Sequence, residues 1–198
     1  MLRLRHQLPA YSPISLAAIG SATFRALGLL GDPRVGLSDY LRERYAAEAV
    51  VLYGSGTEAL VDALRIAGSI AGRRATVAIP AFNCFNVAAA AVAAEVPISF
   101  YDLDPSTLNP DWESLVDRMA DGARVVVTAP LYGIPVDHDT LAESVAAYGA
   151  AVIEDAAQGF GAAWRGRPLG ALGNISVVSF GRGKGWTGGR GGALLLRG

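Results

Sequence analysis

The stretch "VVSFGRGKGWTGGRGG", residues 177–192, sets seven glycines around one lysine directly after a short apolar run. Glycine beside a strand lets the backbone come close to a partner, and phosphate is the simplest partner of that kind. Lys184 in this setting can clamp a phosphate, act as an amine nucleophile, or remain a solvated surface charge. A Walker loop needs Ser or Thr directly after its lysine, and Gly185 stands there instead. G-x-G-x-x-G fails as well, because Trp186 holds the place of the third glycine. Ser179, at the end of the apolar run, is placed to bind a phosphate oxygen, and Arg182 is a nearby cation.

Working outward, the chain from residue 50 onward alternates between two textures. Short apolar, often β-branched runs lie at 49–53, 75–80, 96–102, 123–130, 150–155, 175–180 and 192–196. Helical patterns lie between many of them, at 57–68, 86–95, 111–122 and 139–149, with Thr57 and Asp139 as N-cap residues and Gly68, Gly122 and Gly149 as stops. Alternation of this kind predicts an α/β domain with a mostly parallel central sheet and helices on both faces. The last three runs leave less room for helices and are expected to be shorter or partly antiparallel. In such sheets ligands bind beyond the carboxyl ends of the strands. That directs attention to residues 54–58, 80–86, 102–104, 130–133, 154–158 and 179–185.

Two of these segments carry chemistry of their own. "VVLYGSGTEALVDAL" (50–64) reads as strand, glycine turn and helix start. The amides of Gly56, Thr57 and Glu58 would then lie at a helix N-terminus, which favours phosphate. The turn also matches G-x-G-x-x-A, a dinucleotide fingerprint. The following strand, however, ends at Pro80 without the acid that would hold a ribose. An ordinary tight turn is the plain alternative. "AAVIEDAAQGFGA" (150–162) places Glu154 and Asp155 at a strand end, with Gln158 three residues on. A poorly solvated Asp155 needs a partner, and a protonated aromatic nitrogen would serve. Gln158 could donate to an oxygen of the same ligand. The alternative is a pair of acids capping backbone amides. A phosphate, an aromatic nitrogen wanting a carboxylate and a carbonyl wanting a lysine together describe pyridoxal 5′-phosphate (PLP).

The totals narrow the field. The chain has 198 residues, 52% of them apolar, with a mean hydropathy of +0.32, so a sizeable core is available. A net charge of -1 argues against a broad nucleic-acid or anionic-membrane footprint. Cys84 is the only cysteine, which excludes a disulfide framework and suits a reducing cytoplasm. His6 and His138 lie far apart in sequence and suggest no metal pair. No apolar run reaches the length of a membrane span. Pro9, Ser12, Pro13 and Ser15 interrupt what would be the apolar centre of a secretory signal.

From Val51 to Ala193 the order of motifs resembles the DegT/StrS-type PLP-dependent sugar aminotransferases. The order runs "GSGTEAL", "IPAFNCFNVAAAAV", "FYDLDPSTLNPD", "LYGIPVDHDTL" and "VIEDAAQGFGAAWRGRPLGALGNISVVSFGRGKGWTGGRGG". The resemblance implies the large domain of the fold type I PLP-transferases over residues 49–198, after an N-terminal helical segment at 1–48. It implies that Lys184 forms the aldimine with PLP and shuttles a proton. Asp155 would pair with the ring nitrogen, and Gln158 would contact the ring's hydroxyl side. Gly56, Thr57, Glu58 and Ser179 would hold the phosphate. The implied reaction moves an amino group from glutamate or glutamine to a nucleotide-linked keto-sugar, in a cytoplasmic homodimer. Related sugar dehydratases carry histidine where this chain has Lys184. Arg190 stands where the family has glutamate near the glycine tail. Cys84, with Phe82 and Phe85 nearby, stands where the family places the aromatic residue that stacks on the ring. Family members are about twice as long, with a small C-terminal domain that this chain is expected to lack. A non-catalytic module of the same fold and a nicotinamide-dependent oxidoreductase using the GSGTEA turn are the other readings.

Overall fold

A computed structural model describes residues 15–72, 75–186 and 188–198. Residues 1–14, with His6 and most of the stretch weighed as a signal, lie outside the described residues. Two helices come first, α1 (Leu16–Ala26) and α2 (Pro33–Tyr45). The alternating part follows: β1 (Ala49–Tyr53), α3 (Gly56–Ala71), β2 (Thr76–Pro80), α4 (Phe85–Ala93) and β3 (Ile98–Tyr101). It continues through α5 (Trp112–Ala120), β4 (Ala123–Thr128), α6 (His138–Ala146) and β5 (Ala151–Asp155). A small hairpin, β6 (Ala163–Trp164) and β7 (Arg167–Pro168), precedes β8 (Ile175–Ser179) and β9 (Gly192–Leu196).

Seven strands form one sheet in the order β1-β9-β8-β5-β4-β2-β3. The pairings β8–β5, β5–β4, β4–β2 and β2–β3 are parallel, whereas β9 runs antiparallel to both β8 and β1. Only the last of the three late runs is therefore reversed. A direct return between neighbouring strands needs no helix, which is why the helical texture fades there.

Side chains alternate across the sheet with a period of two, and both faces are apolar. Val77, Ile79, Val125, Val127, Ile153, Val177 and Leu194 pack with α3 and α4 on one face. On the other face Ala78, Val126 and Val152 meet α5 and α6, while Val178, Ala193 and Leu195 meet Leu41 and Tyr45 of α2. Three layers result. α3 lies flat because Ala59, Leu60, Ala63, Leu64 and Ala67 form one stripe, small residues alternating with leucines.

The helix boundaries correct several expectations. Ser55, not Thr57, caps α3: its hydroxyl accepts the Glu58 amide at 3.1 Å, and the Glu58 carboxylate accepts the Gly54 amide at 3.0 Å. This is a capping box in which the acid reaches one residue further back than usual. Asp137, not Asp139, caps α6, accepting the amides of Asp139 and Thr140. Gly68 does not stop α3, which runs on to Ala71 before Gly72 turns with φ +106°. A glycine inside a helix weakens it by only about 1 kcal/mol, and the packed stripe outweighs that.

Residues 154 and 155 point to opposite faces of β5. Glu154 is fully buried and accepts four hydrogen bonds: Gly170 N at 2.6 Å, Leu172 N at 2.9 Å, Gly173 N at 3.2 Å and Ser176 Oγ at 3.1 Å. Arg197 donates to Gly173 O at 2.6 Å, Ser176 Oγ at 3.1 Å and Tyr45 O at 3.0 Å, and also to Gly170 O. Glu154 is thus a hub that fixes the 170–173 loop against β5 and α2. Glu154→Ala should strand these donors and lower stability by about 3–5 kcal/mol, read as a shifted urea midpoint. A midpoint within error of the parent protein would remove the hub from the account.

Candidate functional site

Why do so many glycines surround Lys184? At one end of the stretch the answer is backbone touching backbone. A Cβ on Gly192 would lie 2.5 Å from Gly56 N and 2.6 Å from Gly56 Cα. One on Gly56 would lie 2.9 Å from Ser179 Cβ. The start of β9, the end of β8 and the first turn of α3 therefore meet with no room for a side chain. Gly191 N donates to Gly54 O at 3.0 Å and Phe180 N donates to Gly191 O at 2.9 Å, which closes the junction.

Between Phe180 and Gly191 the chain loops out with Lys184 on it. Trp186 anchors this loop: it stacks on Phe160 at 5.5 Å between ring centroids and meets Phe180 edge-on at 5.2 Å and Tyr40 at 5.3 Å. Lys184 is half-buried, and among all 198 residues it is the only lysine.

A cavity of about 880 Å³ opens at the carboxyl ends of β1, β4, β5 and β8. Gly56, Thr57, Glu58, Asp155, Gln158, Ser179 and Lys184, all singled out from the sequence, line it together. Cys84 and Asn86 line it as well, whereas Phe82 and Phe85 lie outside its wall with 62% and 80% exposure. Arg182 and Arg190 complete the rim.

The groups differ in how they are held. Glu58 is committed to the cap through both its amide and its carboxylate, so it drops out of the expected set of three amides. Ser179 Oγ accepts the Gly181 amide at 3.3 Å and keeps its own proton to donate. Gln158 Oε1 accepts the Tyr132 amide at 2.9 Å, which turns the NH₂ end of the side chain away as a free donor. Tyr132 makes that contact from a left-handed backbone, φ +58°, in the short turn Leu131–Gly133 after β4.

Asp155 accepts one protein hydrogen bond, from Ala157 N at 3.1 Å, at the cavity wall. Burial pushes its carboxyl above the ordinary aspartate range; the Ala157 amide and the Lys184 charge pull the other way, and Glu154 adds to the rise. Asp155 and Lys184 are therefore within electrostatic reach of each other across one cavity. Sequence reasoning missed the Ser55–Glu58 capping box, which S-x-x-E signals, and the solitary lysine, which a count reveals. It quoted Asn86 without assigning it a place.

The family model described as DegT/DnrJ/EryC1/StrS aminotransferase family matches residues 34–198. The chain belongs to this family. The 3-amino-5-hydroxybenzoate synthase of Amycolatopsis mediterranei (strain S699) is 35% identical over 145 residues, 72% of this chain and 36% of that protein. An L-glutamine:2-deoxy-scyllo-inosose aminotransferase of Streptomyces lividus is 32% identical over 72% of this chain and 33% of its own. The sugar aminotransferase CalS13 of Micromonospora echinospora superposes with a TM-score of 0.85 at 28% identity, over 96% of this chain and 53% of that one. The chain thus spans about a third of the length of these curated relatives and about half of that solved structure. No described helix is long and apolar enough to cross a membrane.

The raised Asp155 carboxyl has a consequence for stability. A folded-state value above the unfolded one stabilises the fold only while the group is protonated, so the contribution fades as pH climbs from 3.8 through the raised value. At neutral pH the buried carboxyl therefore counts against the fold, relative to acid pH. Asp155→Asn should therefore raise the thermal midpoint of the cofactor-free protein at pH 7 and leave it little changed near pH 4. A variant less stable than the parent at pH 7 would contradict this assignment.

Proposed function

We propose that this chain is the PLP-binding domain of an aminotransferase that moves an amino group from glutamate or glutamine to a cyclic ketone of the sugar or cyclitol class. The observation that carries the reading is the convergence on one cavity of a lone lysine, a desolvated aspartate and a helix N-terminus beside a serine. The residues suit the cofactor from end to end. Gly56 and Thr57 at the start of α3, with the Ser179 hydroxyl, offer donors for a phosphate dianion. Asp155 offers a carboxylate with one protein partner, and Gln158 a free amide donor.

Bound PLP supplies an electron-accepting ring that stores the amino group between donor and acceptor. Asp155 holds a proton on the ring nitrogen, and its poor solvation strengthens that pairing. Gln158 orients the ring through its oxygen. Lys184 Nζ removes a proton from the substrate carbon and returns one in the second half-reaction, an acid–base role on a loop that Trp186 steadies.

The names of the relatives support L-glutamine as donor and an inosose or sugar ketone as acceptor. A nucleotide-linked keto-sugar is the finer proposal. A homodimer fits an α1 that buries none of its residues and leaves Leu16 at 87% and Phe24 at 55% exposure. A free, exposed Cys84 fits a cytoplasmic setting.

A non-catalytic module of this fold is the second reading. Cofactor titration and turnover separate the two. Lys184→Ala should lower amino transfer by at least about 10²–10⁴-fold. Ser179→Ala should weaken cofactor retention while turnover at saturating cofactor stays near the parent value. Cofactor binding without transfer in the parent chain would favour the module. Unchanged transfer in Lys184→Ala would end the proposed mechanism.

A further inference from the structure

Arg182 and Arg190 are the charged cavity residues that the proposed chemistry leaves without a task. They stand on facing arms of the loop between β8 and β9. Gly181 pairs with Gly189 across the loop, and each arginine follows one member of that pair. Arg190 also sits between Gly189 at φ +84° and Gly191 at φ +102°. Two left-handed glycines therefore set where its side chain starts. Both arginines are exposed, both line the cavity, and Lys184 lies between them in the chain. Among the described residues no carboxylate lies within ion-pairing distance of either guanidinium. Of the acids of the wall, Glu58 is tied into its cap, and Asp155 accepts the Ala157 amide without pairing with either arginine.

We infer that Arg182 and Arg190 form an anion subsite at the cavity rim that takes the oxyanion of the incoming substrate. The guanidinium fork matches a carboxylate or phosphate edge, and unpaired cations beside a cavity attract such a group. The seat proposed for the cofactor phosphate is set deeper, among the half-buried Thr57 and Ser179, whereas both arginines face solvent. The rim pair therefore reads the part of the substrate that stays outside while its reacting carbon reaches Lys184. The inference rests on the amino-transfer reading for the word substrate. The anion contact itself is independent of turnover.

The test titrates inorganic pyrophosphate, and separately glutarate, into the protein while following tryptophan emission and heat of binding. Arg182→Gln and Arg190→Gln should each weaken the preferred anion by at least about tenfold, with a shallower salt dependence. Ser179→Ala should leave that affinity in place. Far-UV circular dichroism checks that the variants are folded. Preference for pyrophosphate assigns the subsite to a phosphorylated acceptor, and preference for glutarate assigns it to the donor's carboxylate. Absence of saturable binding overturns the inference. So does a loss that follows Ser179→Ala instead of the arginine variants, which would place the anion in the cofactor's phosphate seat. Unchanged transfer in Lys184→Ala with rim binding intact would overturn the amino-transfer reading and leave the anion subsite standing.

Discussion

Everything at this site depends on a place where two backbones touch. Gly192 opens β9 against Gly56 at a distance that excludes even a methyl group, and Gly56 in turn lies on Ser179. Because β9 returns directly beside β8, the loop joining them must leave the sheet at the point where α3 begins. Close packing of this kind fixes position more tightly than any flexible side-chain contact. It brings the α3 N-terminus to Ser179 and the Lys184 loop although more than a hundred residues of chain lie between α3 and those two.

The acid pair at the end of β5 shows how one strand serves architecture and chemistry at once. A period of two sends Glu154 into the core and Asp155 to the cavity. Four donors satisfy Glu154, so its buried carboxyl group holds a loop in place. Asp155 accepts one and is left under-solvated. A carboxyl kept short of partners in this way carries a standing cost to the fold.

Much of this was legible in the sequence. The strand ranges were readable to within about two residues because both faces of the sheet are apolar, and β1 and β9 were found at their observed limits. The residues that converge were readable because chemistry at strand ends follows a rule of α/β sheets. Helix starts were less legible. Thr57 and Asp139 each have a capping residue two positions earlier, Ser55 and Asp137, and several small polar residues in a row make the choice depend on hydrogen-bond geometry. The β6–β7 hairpin is two residues to a strand, too short for any periodicity to show. The division of labour between Glu154 and Asp155 required the partners of the 170–173 loop, which lie some sixteen residues or more away. The role of Gly192 was invisible for a similar reason: a glycine announces freedom, and only the fold reveals that it answers a shortage of space.

The solitary lysine makes one measurement decisive. The purified protein is mixed with PLP, reduced with borohydride, digested and mapped by mass spectrometry. A single pyridoxyl label is expected on the peptide carrying Lys184, and it should be lost in Lys184→Ala. Full-length protein that binds the cofactor yet carries no label on that peptide would contradict the role given to Lys184.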